Sequence, residues 1–165
     1  MTNSLYDQLH QSRFSVAVLR DVALPIALGR DHANLEYWLG KQVARQLPVS
    51  NEDQLAVLAA EAEFGTLVIT HGRRNRVTGT LSGNQVAGRL AEATTPSFGF
   101  ETGWLAQEWQ MLTGIFTEAT YSIQNGLVII TLHSDPNEPL AATEQPHGDP
   151  ITPLQTSSEK PAAAD

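Results

Sequence analysis

Apolar positions recur at helical spacing through the first third of the chain. Val16, Leu19 and Ala23 share one face of a segment that begins at Phe14, with Ile26 in phase beyond them. Pro25 predicts a stop or kink near Leu24, because it has no N–H to continue the ladder. Gly29 then supplies a permissive turn and Asp31 a cap for the next helix, "HANLEYWLGKQVARQL". There Leu35, Leu39 and Val43 form a stripe, and Pro48 is the stop. A third helix opens on Ser50 and Asp53, spaced as in a capping box. It repeats Leu55, Leu58, Ala59 and Ala62 and ends at Gly65.

The period then changes to two. "TLVITHGRRNRVTGTL" reads as a β-hairpin turning around Gly72 to Asn75. A short helix follows from near Ser82, with Gln85 in a capping position and Val86 and Leu90 four apart. In "FGFETGWLAQEWQMLTG", Trp104, Leu105, Glu108, Trp109 and Leu112 lie at helical intervals. "FTEATYSIQNGLVIITLH" is a second hairpin, closed by Asn125-Gly126, the dipeptide that best accepts positive φ at both turn positions. Strands arriving as two hairpins between helices predict an α+β fold: helices packed on a mostly antiparallel four-stranded sheet. At least one face must be covered, because "LVIITL" is too continuously apolar for water on both sides.

Composition adds a boundary. Residues 134–165 hold six of the nine prolines, a net charge of -5 and no apolar period. Ordering such a segment costs about 1–2 kcal/mol per residue with little apolar area to bury. The expectation is one α+β domain over residues 5–133 and a disordered acidic tail over 134–165. With a total of -8, the chain lacks the positive face that a nucleic-acid partner requires. It has no cysteine, no apolar run long enough to span a membrane and no signal-peptide pattern, which together point to the cytoplasm.

Candidate chemistry is sparse. Glu101 and Glu108 stand two helical turns apart, about 10 Å along the axis, at or beyond the wide end for a hydrolytic acid–base pair bridging one water. Glu101 instead suits the first helical turn, where free N–H groups and the helix dipole favour a carboxylate. His32 and Glu36 are four apart but have no third metal ligand at a suitable spacing. Arg73, Arg74 and Arg76 form the one basic cluster, readable as an anion contact or as a solvated turn guarding a sheet edge. Gly79, Gly83 and Gly88 make no phosphate loop, and Ser82 and Ser97 lack a nucleophile-elbow context. Trp38, Phe100 and Trp104 are candidates to line a pocket for a small apolar ligand. Gly40 and Ala44 would let a helix pack closely against another, including one from a second subunit.

Two stretches carry a resemblance: Tyr37-Trp38-Leu39-Gly40-Lys41 with Arg45, and Phe100-Glu101-Thr102-Gly103-Trp104-Leu105-Ala106. With "AEFGTLVI" and "GLVIITL", they make residues 14–133 resemble the YslB-like family of low-GC Gram-positive bacteria, which carries a domain of unknown function. Thr102 and Trp104 stand where that pattern commonly has alanine and phenylalanine, and they keep its order of small then aromatic. The resemblance implies a fold similar to TRAPP vesicle-tethering subunits and to vinyl-reductase-type ligand-binding domains, whose helical faces often dimerise. The cysteine that carries an acyl chain in some tethering subunits is missing, as are the Cys/His clusters of the bacterial relatives. The expected function is therefore a non-enzymatic homodimeric adaptor or binding module without cofactor or metal. The alternatives are a binder of a small apolar ligand and a hydrolase using Glu101 or Glu108.

Overall fold

The computed structural model describes residues 14–91 and 96–154. The start of the expected domain at residue 5 and the last eleven residues of the tail lie outside them.

The first helix does not stop at Pro25. Phe14–Ala17 (α1) leads into a π-helical stretch, Val18–Ala23, and Leu24–Leu28 (α2) resumes with Pro25 in its first turn. The Leu24 N–H bonds the Leu19 carbonyl, five residues back. The ladder thus shifts register just ahead of the residue that cannot donate. A 3-10 turn, Gly29–Asp31, passes directly into α3, His32–Gln46. Asp31 makes no side-chain cap there, and the His32 N–H is held by the Gly29 carbonyl. Helix α4, Asp53–Glu61, is capped by different residues from those expected. The Gln54 N–H bonds Asn51 Oδ1 at 3.1 Å and the Gln54 side chain returns to the Ser50 N–H at 2.8 Å.

Strands β1 (Thr66–His71) and β2 (Val77–Ser82) form the first hairpin. Helices α5 (Asn84–Leu90) and α6 (Gly99–Thr113) follow, then β3 (Ile115–Gln124) and β4 (Leu127–Pro139). The sheet is antiparallel throughout in the order β1-β2-β4-β3, so the fold is α+β with helices on a four-stranded antiparallel sheet. Asn125 (φ 51°) and Gly126 (φ 75°) make the predicted tight turn. Leu67, Val77, Leu81, Val128, Ile130 and Leu132 are buried on the helix side. The alternate residues Val68, Thr78, Thr80 and Thr131 fall on the other face, which β-branched residues can occupy while partly wet.

Helices α3 and α6 cross at glycines. A Cβ on Gly103 would lie 1.9 Å from the Tyr37 carbonyl oxygen, and one on Gly40 2.0 Å from that of Phe100. The expectation that Gly40 lets a helix pack closely against another is met within one chain rather than across subunits. The partner at Gly40 is α6 of the same chain, and Ala44 is fully buried in the core.

The expected break at residue 133 is also corrected for the described part of the tail. Strand β4 continues six residues further, and residues 140–151 lie along α3 and α6. Leu140 N–H bonds the Gly114 carbonyl, His147 N–H that of Arg45, and Ile151 N–H that of Pro48. Glu144 anchors this strap. Its carboxylate accepts from Gln110 Nε2 at 2.8 Å and faces Lys41 Nζ at 3.6 Å, while its carbonyl accepts from Gln107 Nε2. These polar bonds stand in for the apolar area that the segment lacks.

Candidate functional site

Four elements deliver charge to one buried cluster. Arg20, from the π-helical stretch, donates through Nη2 to both Glu101 oxygens at 2.7 Å. Arg89, from α5, donates to Glu101 at 3.0 Å, to Asp21 at 2.7 to 3.1 Å, and to the Ser97 carbonyl. Glu36 of α3 faces Arg20 Nη1 at 3.8 Å and meets His32 Nδ1 at 3.0 Å. Phe100 and Phe98 lie under the Arg20 and Arg89 guanidiniums. Burial alone would raise the Glu101 pKa, but Arg20 and Arg89 together hold the carboxyl below its ordinary range. Burial would likewise lower that of Arg89, and Glu101 and Asp21 more than reverse it. Glu101 does sit in the first turn of α6, as expected, but two guanidiniums engage its oxygens. A carboxylate so held is not free to take a proton from a substrate. Among the described residues no three His, Asp or Glu side chains form a metal-binding group.

Glu108 has the opposite environment. It is fully buried, its Oε2 accepts the Val49 N–H at 3.2 Å, and its Oε1 has no hydrogen-bond partner among the described residues. Burial pushes its pKa up to about 8, against smaller opposing contributions from Val49 and Trp104. Glu108 is therefore a neutral acid at pH 7. The folded state binds this proton more tightly than the unfolded state, so its contribution to stability is complete below about pH 4.5 and declines as pH rises to 8. The decline amounts to on the order of 3 kcal/mol between pH 4.5 and 7. Glu108→Gln, which cannot ionise, is expected to flatten this dependence and to melt higher than the wild type at pH 8. Thermal unfolding from pH 5 to pH 9 checks it, and parallel curves for the two proteins would contradict it.

A groove of about 540 Å³ lies where α3 and α6 meet β3. Ala33, Asn34 and Tyr37 line one wall, Gly99 and Thr102 the floor, and residues 118–121 of β3 with His133 the other wall. The Tyr37 hydroxyl accepts the Ala119 N–H at 3.1 Å, and burial raises its pKa. His133 Nε2 lies 3.3 Å from Thr120 Oγ1, but among the described residues no bond orients its other nitrogen as a nucleophile's base requires.

Trp38, Phe100 and Trp104 do not line this groove. Trp104 is buried in the core, and Phe64 touches it and Phe100 edge-on, with centroids at 5.3 and 5.8 Å. Trp38 is half exposed, and its partners are the Tyr37 ring and Lys41. Burial lowers the Lys41 pKa, opposed by Glu144. Arg45 Nη1 holds the Thr143 carbonyl at 2.8 Å. Lys41 and Arg45 from the first stretch thus hold the strap, while Gly40 and Gly103 form the crossing. Sequence reasoning missed Arg20, Asp21, Arg89 and Glu144. The available signal was an arginine or glutamate interrupting a helical apolar face, as at Arg20 and Arg89.

A family model described as "Protein of unknown function (DUF2507)" matches residues 13–133. The chain is similar to the uncharacterized protein YslB of Bacillus subtilis (strain 168), at 24% identity over 135 residues. That span covers 81% of this chain and 91% of the relative. No helix among the described residues is long and apolar enough to cross a membrane.

Proposed function

Because the chain belongs to the DUF2507 family, whose description names no activity, we propose a function from its own residues: a non-enzymatic binding module that pairs with a second copy through the outer edge of β3. The observation that carries this is the half-open state of that edge. Gln124↔Leu127 closes the two-residue turn, so every second pair (Ile123↔Val128, Tyr121↔Ile130, Ala119↔Leu132) turns its backbone groups outward from β4. Near the start of the strand, side chains occupy these outward groups. Gln110 accepts the Thr117 N–H and Tyr37 accepts that of Ala119. Those of Tyr121 and Ile123 have no partner among the described residues.

This open half lacks the usual guards. No charged residue or proline lies between Glu118 and His133, and Tyr121, Ile123 and Leu127 are 37–41% exposed. A two-fold axis near Ser122 would set Tyr121 of one copy opposite Ile123 of the other, extending the two sheets into one. The implied likeness to dimerising TRAPP subunits and a cytoplasmic location belong to the same proposal. The helical layer on one antiparallel sheet and the absence of cysteine support them.

The groove beside this edge favours a second reading, a small apolar ligand held against Tyr37 and Tyr121. Native mass spectrometry of gently purified chain separates the two. The proposal expects about twice the 17.9 kDa chain mass, and the second reading expects an additional bound mass. Ile123→Lys sets like charges across the axis and should raise the dimer dissociation constant roughly a hundredfold. A wild-type monomer at micromolar concentration would sink the dimer, and an equally tight Ile123→Lys dimer would remove the β3 edge from it.

A further inference from the structure

The hairpin between β1 and β2 gathers three of the chain's ten basic residues within four positions. Arg73, Arg74 and Arg76 line one concavity of about 460 Å³. All three are exposed, and none has an ion pair or hydrogen bond from its side chain among the described residues. The acid found beside this hairpin, Glu52, is bonded to His71 at 2.9 Å instead. In a chain of net charge -8, three guanidiniums left facing one space are an exception.

The backbone points the same way independently. Arg73 is helical and Arg74 is left-handed, at φ 57° and ψ 43°. A right-handed residue followed by a left-handed one turns successive N–H groups into a common concavity, which is an anion-binding arrangement. The turn is closed by the Gly72 N–H on the Arg76 carbonyl and the Arg76 N–H on that of Arg73, and the Arg73 and Arg74 N–H groups have no partner among the described residues. A left-handed position ordinarily suits glycine or asparagine, yet here it holds an arginine.

We propose that this tip binds a phosphate dianion, carried by a small phosphorylated molecule or by a lipid headgroup. The N–H groups of Arg73 and Arg74 receive one oxygen, and the three guanidiniums clamp the others through charge-assisted bonds. The site is independent of the β3 edge, so dimer formation and anion binding can fail separately.

Titrating the full-length chain with pyrophosphate by calorimetry, with acetate as control, tests the proposal. Sedimentation with phosphatidylcholine vesicles containing or lacking phosphatidic acid forms the second arm. Pyrophosphate binding assigns a soluble phosphorylated ligand, and binding only to the phosphatidic-acid vesicles assigns a headgroup. Arg74→Gly is the informative variant, since glycine accepts the left-handed turn and should raise the melting temperature. Binding should nevertheless weaken at least tenfold in it, and again in Arg73→Gln. Binding in neither arm overturns the proposal, as does acetate competing equally well or an affinity unchanged in Arg74→Gly.

Discussion

Alanine at Gly103 is expected to destabilise the protein by about 3 kcal/mol or more, at or beyond the usual cost of overpacking a core. The added carbon would lie 1.9, 2.7 and 3.0 Å from the O, C and Cα of Tyr37. These are backbone atoms of a helix fixed by its own hydrogen-bond ladder, so no side-chain rotation gives relief. Only a parting of α3 and α6 would, and that opens the core around Trp104, Leu105 and Ala44. Gly40→Ala meets the Phe100 carbonyl in the same way and should behave alike. Gly114 supplies the contrast. It has φ +72° and nothing within 4 Å of a built Cβ, so Gly114→Ala carries backbone strain alone, about 1 kcal/mol. Urea unfolding of the three variants separates close approach from conformational strain. A Gly103→Ala protein no less stable than Gly114→Ala would contradict the account.

Local chemistry was legible and tertiary chemistry was not. The Asn125-Gly126 turn, the change of period at Thr66 and the helix over "FGFETGWLAQEWQMLTG" each depend on neighbours in sequence, and each could be read. Pro25 does not stop the helix because a π-helical stretch upstream absorbs the missing donor, a choice that no apolar period reveals. The strap was misread for a related reason. Its prolines and acids predict disorder on average, but Glu144 alone finds Lys41, Gln107 and Gln110, which are scattered over two helices. Glu101 and Glu108 look alike in sequence, on one helix and two turns apart. Their environments differ because Arg20 and Arg89 reach only the first. The partners lie 81 and 12 residues away, beyond any spacing rule.

Arg89→Met is expected to cost about 3–5 kcal/mol, as removal of one partner from a buried ion pair does. Arg89 makes contacts that no other residue replaces: two nitrogens on Asp21, one on Glu101 and one on the Ser97 carbonyl. Methionine fills much of the volume, so the loss comes mainly from leaving Asp21 and Glu101 short of positive charge. Arg89→Lys keeps a charge but cannot present the planar fork, and should fall between the two. Glu101→Gln in the Arg89→Met background removes the carboxylate that was stranded, so the double variant should lose less than the sum of the single losses. Acid supplies a second reading. The folded-state pKa of Glu101 is depressed, so its stabilisation is present above the ordinary carboxylate range and is lost as pH falls through the folded value. Wild-type stability should decline on acidification, and Glu101→Gln should remove part of that slope. Glu108 acts in the opposite direction, since its contribution is greatest in acid. The two carboxylates on α6 should therefore give slopes of opposite sign in adjoining windows, Glu101 below about pH 4.5 and Glu108 from about pH 4.5 to 8. Unfolding of both single Gln variants from pH 3 to pH 8 would resolve the two slopes, and identical profiles for the two variants would contradict the opposite shifts of Glu101 and Glu108.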